Sequence, residues 1–408
     1  MNQDIKKLRH ELPPYLEKPQ KKEKLWTRNF LSIFFINVCM FMSFHMLTPT
    51  FPYYIKSLGG TDHLAGIAAA VISVAALLVR PFSGWFMDNK GRKVLFMIGI
   101  AVMIATTFYY NTIQLVMLAV IFRFIQGLGW GVSTTGSNTL AADSIPRNRF
   151  AEGMGFFSLT AAISLAVAPA LGLWSISYYD YQMLFLISGL FAVGSLVLAF
   201  IYQYRPLSQK REIKPLLLRD LFNKQAVPPA IEMLLCCLPV GAAMSFIAIY
   251  ADYRGLGSAG LFFIVMAISS AISRVGSGRI ADRKGEGPIV ILGVVVITIA
   301  VILLILSQGL VTYFLAGVAI GIGFGFTGSS LQSLALRRAP FERRGAASST
   351  YLLAFDIGIG SGGLLAGWVA TRFGYDWMFV FMLVPMLLAF LFYFVVIRRM
   401  IKKKPLDT

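Results

Sequence analysis

Charged residues, cysteines and histidines are all scarce in this sequence of 408 residues. Charged residues make up 14% of it, against about 25% in an ordinary soluble protein. The three cysteines, Cys39, Cys236 and Cys237, lie inside apolar runs, so we expect neither a disulfide framework nor a metal site from them. No Gly-x-x-x-x-Gly-Lys-Ser/Thr loop occurs, which excludes that phosphate-binding motif. We therefore expect no cofactor and no metal.

Long apolar runs dominate instead, since 57% of the residues are hydrophobic. A run of about 20 apolar residues is long enough to cross a bilayer as a helix, and the sequence predicts twelve such spans. They lie at residues 30–54, 63–87, 94–112, 113–139, 151–175, 182–203, 229–251, 258–281, 288–307, 309–335, 346–370 and 377–398.

Basic residues are unevenly distributed between the loops that join these spans. If both termini are cytoplasmic, only Lys56, Arg254 and Arg372 lie outside, and Arg123 falls within a span. This is the positive-inside pattern of membrane proteins, and it explains the net charge of +18 without a nucleic-acid partner. The sequence predicts a multi-pass protein of the plasma or inner membrane, with both termini in the cytoplasm.

An internal repeat divides the spans into two sets of six. Arg80, in the stretch 77–93, corresponds to Arg274 in the stretch 272–287, at an offset of 194 positions (274 − 80). A constant offset over several blocks indicates a duplicated unit. The predicted domains are a basic tail at 1–28, a first six-helix bundle at 29–203, a linker at 204–228, a second bundle at 229–400 and a tail at 401–408. The other matched pairs are Ser83 with Ser277, Gly84 with Gly278, Asp88 with Asp282, Lys90 with Lys284, Gly91 with Gly285, the block 127–131 with 321–325, and Pro146 with Pro340.

The loop between spans 2 and 3 carries a family signature. Residues 84–93 resemble the Gly-x-x-x-Asp-x-x-Gly-Arg-Lys motif of the major facilitator superfamily. Arg123, Gln126 and Gly127 are similar to the Arg-x-x-Gln-Gly motif of its twelve-helix drug/proton antiporter branch. In span 5, Pro169 and Gly172 match the Gly-Pro-x-x-Gly-Gly motif of that branch, whereas two of its glycines are replaced. The resemblance implies an all-α membrane protein with 12 transmembrane helices, arranged as two pseudo-symmetric six-helix bundles around a central cavity.

The resemblance also implies that the two copies of the loop act as a gate between the bundles. Asp88 is then expected to meet the start of helix 11 near residues 343–345, and Asp282 to meet the start of helix 5 near residues 149–153. A carboxylate can accept hydrogen bonds from the free amides at a helix N-terminus, and a glycine lets another helix approach closely. The predicted gating residues are Gly84, Asp88, Gly91, Arg92, Lys93, Gly278, Asp282 and Arg343.

Three titratable residues lie deep in predicted spans: Arg123, Asp356 and His45. Charged groups there cost free energy and usually have a function. In the family, the arginine that matches Arg123 is linked to proton coupling; an arginine bonded to helix-end carbonyls is the alternative. Asp356 is either half of a buried ion pair that joins the two bundles or a protonatable carboxylate that couples transport to protons. His45 either relays protons or binds substrate, or is satisfied by a neighbouring helix.

Further polar and aromatic residues are candidates for the cavity wall, although packing between helices explains each of them equally well. Glu232, close to the start of helix 7, is interpreted as an interfacial carboxylate, with a coupling role as the alternative. The cavity candidates are Asn37, Phe41, Phe44, Trp130, Thr134, Asn138, Tyr250 and Phe324.

Together these features predict a secondary transporter and not an enzyme, because the deep polar residues are too few and too scattered for a catalytic site. We expect proton-coupled efflux of a small amphipathic compound by alternating access. A proton-coupled importer and a non-transporting sensor or scaffold are the alternatives. The expected partners are the substrate, protons and the lipid bilayer, and we expect a monomer.

Overall fold

The computed structural model describes residues 24–204, 221–256 and 259–402. In these ranges it contains helices and turns but no strand, and twelve helices are long and apolar enough to cross a membrane. The all-α fold with twelve spans is therefore confirmed. Most of the predicted tails and linker lies outside the described residues. The helices are α1 (Arg28–Ser57), α2 (Asp62–Lys90), α3 (Arg92–Tyr109), α4 (Val116–Ser144), α5 (Phe150–Tyr178), α6 (Tyr181–Ile201), α7 (Val227–Tyr253), α8 (Ala259–Lys284), α9 (Glu286–Ile305), α10 (Leu310–Arg337), α11 (Arg344–Phe373) and α12, which consists of the segments Tyr375–Phe381, Leu383–Phe392, Tyr393–Ile397 and Arg398–Lys402.

The helix boundaries repeat with the offset found in the sequence. Helices α5 and α11 begin at Phe150 and Arg344, 194 positions apart (344 − 150). The tight turns before α3 and α9 both place a glycine in the left-handed region, with φ of 99° at Gly91 and 83° at Gly285, where other residues are strained. Helices α1–α6 therefore form a first half, and α7–α12 form a second half built to the same plan.

Side-chain hydroxyls and carboxylates begin several of these helices. The Thr27 hydroxyl accepts a hydrogen bond from the Phe30 amide at 3.2 Å. In the same way, the Asp180 carboxylate accepts one from the Met183 amide at 2.8 Å. Such caps satisfy amides that have no partner within the helix, and they mark where α1 and α6 start.

Large apolar side chains cover the outside of the bundle. Ile272, Leu364 and Leu387 are 71%, 77% and 67% exposed. Contiguous apolar surface of this kind is rare on soluble proteins and is the normal contact of a helix with lipid tails. The exterior therefore fits a bilayer.

The α2–α3 and α8–α9 loops lie on the same side of the bundle, because six spans separate Gly91 from Gly285. We call this side the loop face and the other side the opposite face. Helix α2 of the first half packs against α11, and α5 packs against α8 of the second half. These two crossings form the largest part of the interface between the halves.

Candidate functional site

Two carboxylates fasten the halves together at the loop face. Asp88 accepts hydrogen bonds from the amides of Gly345 at 2.8 Å and Ala346 at 2.7 Å, at the start of α11. Asp282 accepts them from Ala151 at 3.0 Å and Glu152 at 2.8 Å, at the start of α5. Both contacts are those expected from the sequence, and we call them the two locks. Their role as a gate remains a prediction.

Glycines allow the helices to cross closely beside the locks. A Cβ atom added to Gly84 would lie 2.5 Å from the Ser349 hydroxyl oxygen and 2.6 Å from the Gly345 carbonyl oxygen. A Cβ on Gly278 would lie 2.5 Å from the Ala151 carbonyl oxygen. Real Cβ contacts are longer, so a larger residue at either position would separate the halves.

The other predicted gating residues surround the first lock. The Arg92 guanidinium is buried, pairs with Asp143 and donates to the Phe341 carbonyl oxygen. The Lys93 ammonium lies 5.6 Å from the centre of an aromatic ring on the segment after α6. The Arg343 guanidinium donates to the Phe222 carbonyl oxygen at 3.3 Å, so it ties the segment before α7 to the turn before α11.

Behind each lock lies an ion pair, and the two pairs have opposite charge order. In the first half, Arg92 on α3 pairs with Asp143 on α4. The repeat counterparts of these residues are Glu286 and Arg337, which pair at 3.2 Å between α9 and α10. Both charges have been reversed while the pair has been kept. Asp143 was not predicted from the sequence, although it occupies a repeat position at which the charge is exchanged.

A deeper ion pair joins the halves between the loop face and the middle of the bundle. The Arg80 guanidinium on α2 donates from Nε to Asp356 Oδ2 on α11 at 2.8 Å, and from Nη1 to the Thr134 hydroxyl oxygen at 2.9 Å. The Arg80 side chain is 4% exposed, whereas the Asp356 side chain is 25% exposed. Asp356 and Thr134 were predicted from the sequence as site residues, whereas Arg80 was not. We call these three residues the central site.

The pseudo-symmetry axis passes close to this site. The Gln332 side-chain amide donates to Asn138 Oδ1 across the interface, and these two residues are themselves repeat counterparts (332 − 138 = 194). Counterparts can touch only near the axis that relates the halves. Asn138 therefore belongs to the closed interface on the loop-face side of the central site.

An aromatic cluster lies one helical turn from the central site, towards the opposite face. Thr134 also donates to the Trp130 carbonyl oxygen at 2.8 Å, and the Trp130 and Phe44 rings stack with their centres 3.8 Å apart. The rings of Phe41 and His45 lie 4.8 and 6.4 Å from that of Trp130. Four of the predicted cavity and coupling residues are thus brought together. His45 Nδ1 is buried and has no hydrogen-bond partner among the described residues.

The second half presents a smaller aromatic pair. Phe324, the repeat counterpart of Trp130, lies with its ring centre 5.9 Å from that of Phe355. Phe355 directly precedes Asp356. Apolar surface therefore flanks the central site on both halves.

Arg123 lies elsewhere, inside the first half. Its guanidinium donates to Gln126 Oε1 at 2.7 Å and lies 4.3 Å from the centre of the Phe51 ring. Gln126 also bonds the Thr107 hydroxyl at 3.0 Å and the Tyr110 hydroxyl at 3.1 Å. The buried arginine therefore joins α1, α3 and α4 within the first half.

Two cavity candidates are enclosed within one half in this conformation. Asn37 donates to the Thr160 hydroxyl at 2.5 Å, joining α1 to α5. Tyr250 is 0% exposed, and its hydroxyl donates to the Leu304 carbonyl oxygen at 2.9 Å. Both residues pack helices of the same half together, so they do not line the space between the halves here.

Glu232 on α7 is 0% exposed, and neither of its carboxyl oxygens has a hydrogen-bond partner among the described residues. The interpretation as an interfacial carboxylate is therefore wrong. The sequence shows how far Glu232 is from the helix start but not which way it points, and it points inward.

Among the described residues, no group of three or more histidine, cysteine, aspartate or glutamate side chains is arranged to hold a metal ion.

Comparisons with known proteins agree with the architecture. The chain is 24% identical to the Staphylopine export protein of Staphylococcus aureus over 382 residues, or 89% of this chain and 95% of that protein. It is 22% identical to the Quinolone resistance protein NorA of Staphylococcus aureus over 226 residues, 54% of this chain and 58% of that protein.

The human organic anion transporter MFSD10 has the same fold. The two structures superpose with a TM-score of 0.79 at 17% sequence identity, covering 92% of this chain and all of that one. The family model described as Major Facilitator Superfamily matches residues 33–363. With twelve spanning helices in two repeated halves and a match over most of its length, the chain belongs to the Major Facilitator Superfamily and is a membrane transporter of that family.

Proposed function

We propose that this transporter exports a small amphipathic compound in exchange for protons. The observation that carries the proposal is the Arg80–Asp356 ion pair at 2.8 Å, which joins one half to the other. Arg80 is 10 residues from the loop-face end of α2 and Asp356 is 12 residues from that of α11, so the pair lies about 15 to 18 Å into the bundle. A proton that reaches Asp356 therefore acts on the contact between the halves.

Protonation of Asp356 weakens the closed loop face. It removes the negative charge and leaves the Arg80 guanidinium buried with only the Thr134 hydroxyl as a partner. Breaking a buried ion pair in this way costs about 3–5 kcal/mol, which corresponds to a change of roughly a hundred- to several-thousandfold in an equilibrium constant. The protonated protein thus favours the state open at the loop face, and loss of the proton favours closure.

The direction of transport is supported by the relatives. The Staphylopine export protein and the Quinolone resistance protein NorA are both named for export or resistance. If the loop face is cytoplasmic, as the basic residues predict, a proton enters from outside and opens the cytoplasmic side. The proton then leaves to the cytoplasm, and the loop face closes again with the compound bound. The Trp130 and Phe324 clusters provide apolar surface for the compound on each half.

The test is flux into proteoliposomes under an imposed pH gradient of either sign, with fluorescent quinolones included among the amphipathic compounds screened. Antiport predicts that an acidic interior drives the compound inward, whereas symport predicts that an acidic exterior does so. Protein-free vesicles correct for passive trapping of weak bases.

We expect Asp356→Asn to lose gradient-driven flux while remaining folded. Asp252→Asn, which alters an exposed carboxylate on α7, is the matched control and should keep full flux. Normal gradient-driven flux in the Asp356→Asn protein would remove this carboxylate from the mechanism. Flux driven only by an acidic exterior would favour the importer.

A further inference from the structure

An arginine that occurs at the same repeat position in both halves has different bonding partners in each half. In the first half, Arg80 is bonded to Asp356 at 2.8 Å and to Thr134 at 2.9 Å. Its repeat counterpart in the second half is Arg274. The counterpart of Thr134 is Gly328 (134 + 194), and the counterpart of Asp356 is Ala162 (356 − 194). The second half has therefore kept the cation and lost both of its partners.

Arg274 nevertheless keeps the position that the repeat predicts. Its two terminal nitrogens lie 3.7 and 3.8 Å from the place where a Cβ on Gly328 would be. Its carbonyl oxygen lies 2.5 Å from the place of a Cβ on Gly155, and Ala162 is two turns beyond Gly155 on α5. The guanidinium therefore lies beside Gly328, the counterpart of Thr134. Ala162, the counterpart of Asp356, lies on α5, the helix that packs against α8.

Within the protein, Arg274 is incompletely satisfied. Its Nε donates to the Ser270 hydroxyl at 3.2 Å, and its guanidinium carbon lies 5.4 Å from the centre of the Phe324 ring. Among the described residues, the structure shows no carboxylate in an ion pair with it and no acceptor for its terminal nitrogens. A half-buried cation without a counter-charge is costly, and the side chain is only partly enclosed.

We propose that Arg274 binds an anionic group of the transported compound, in the place that Ala162 leaves open. This rests on the proposed transport function and names its substrate class, a small amphipathic compound that carries a carboxylate or a similar anion. A guanidinium can hold a carboxylate through two parallel hydrogen bonds. The Phe324 ring lies beside the guanidinium and the Phe355 ring lies beside that of Phe324, so the two supply surface for an apolar or aromatic body.

Because only one of the two arginines has a carboxylate partner, proton coupling and binding of the compound are assigned to different halves. Asp356 neutralises Arg80 and responds to protons, whereas Arg274 remains available for the compound. A carboxylate introduced at position 162 would recreate the first-half arrangement and would compete with an anionic compound for the same guanidinium.

The experiment measures binding of two probes to the purified protein by calorimetry: 1-naphthylacetate and its neutral analogue 1-naphthylacetamide. We expect the wild-type protein to bind the carboxylate roughly ten- to a hundredfold more tightly, the value of a charge-assisted hydrogen bond. Arg274→Gln and Ala162→Asp should each remove this preference, while Arg274→Lys should retain part of it. Arg372→Gln, at an exposed position on α11, is the control and should bind as the wild type does.

Several results would overturn the proposal. These are absence of carboxylate binding, equal binding of the two probes by the wild-type protein, or an unchanged preference in Arg274→Gln. Displacement of the carboxylate by chloride with equal affinity would assign the position to an inorganic anion and would also overturn it. If the protein shows gradient-driven flux but binds the two probes equally, only this inference is wrong. If it binds the carboxylate more tightly but shows no gradient-driven flux, only the export proposal is wrong.

Discussion

Removing the charge of one lock should open the loop face by a measurable amount. In the closed state, the Asp88 carboxylate accepts two amide hydrogen bonds, at 2.8 and 2.7 Å. Asn at this position can accept only one of them and carries no charge to interact with the positive end of α11. With hydrogen bonds to charged groups worth about 1.5–3 kcal/mol each, Asp88→Asn should destabilise the closed state by about 2–4 kcal/mol. That corresponds to a change of roughly 30- to 1,000-fold in the closed–open equilibrium.

The assay is maleimide labelling of a single reporter cysteine at position 348. Ser348 is 1% exposed, and its hydroxyl donates across the interface to the Thr135 carbonyl oxygen at 3.3 Å, so it becomes accessible only when the halves separate. The three native cysteines are first replaced by serine or alanine. Asp88→Asn should accelerate labelling strongly, and Asp282→Asn should act in the same direction because the second lock has the same geometry. Labelling within about twofold of the parent protein in either variant, when that variant elutes as a folded monodisperse protein, would refute the assignment of that lock.

Three further predictions concern packing and buried charge. Arg92→Glu should lower the thermal midpoint in detergent by placing two acids together. Arg344 also pairs with Asp143, at 3.2 Å, and its repeat counterpart is Phe150. Adding Asp143→Arg and Arg344→Phe therefore copies the second half, where Glu286 pairs with Arg337, and should restore most of the loss; failure of the triple variant to recover would contradict the exchange of charges. Glu232→Gln should leave the midpoint unchanged or raise it, because the enclosed carboxyl group has no hydrogen-bond partner among the described residues to lose; a large loss of stability would show a charged partner. Gly84→Val should remain folded but lose gradient-driven flux, because its side chain forces α2 away from α11; normal flux would contradict the close crossing.

The repeat made most of the architecture predictable from the sequence. The family resemblance implied that Asp88 meets the start of α11, and the shared offset extended this expectation to Asp282 and the start of α5. Helix number was predictable for a simpler reason: a lipid-spanning helix must be about 20 apolar residues long. The length of an apolar run and the spacing of a repeat are properties of the chain itself, so the sequence shows them directly.

Partners across the interface were harder to predict. The depth of Asp356 in its helix was clear, but depth does not tell which residue of another helix faces it, and Arg80 was matched only to its counterpart Arg274. The surroundings of Tyr250 and Glu232 were hard to predict for a related reason, because the direction in which each side chain points depends on how whole helices pack. The difference between Arg80 and Arg274 follows from the Arg80–Asp356 ion pair, which the repeat alone does not show.

The central claim is that protonation at the Arg80–Asp356 pair tilts the two halves about their shared axis. Spin labels at the exposed positions Lys90 and Lys284 report the loop-face distance between the halves. Double electron–electron resonance should show this distance increasing as the pH is lowered in the otherwise wild-type protein. In Asp356→Asn it should be long at every pH. An identical pH-dependent change of this distance in both proteins would contradict the account.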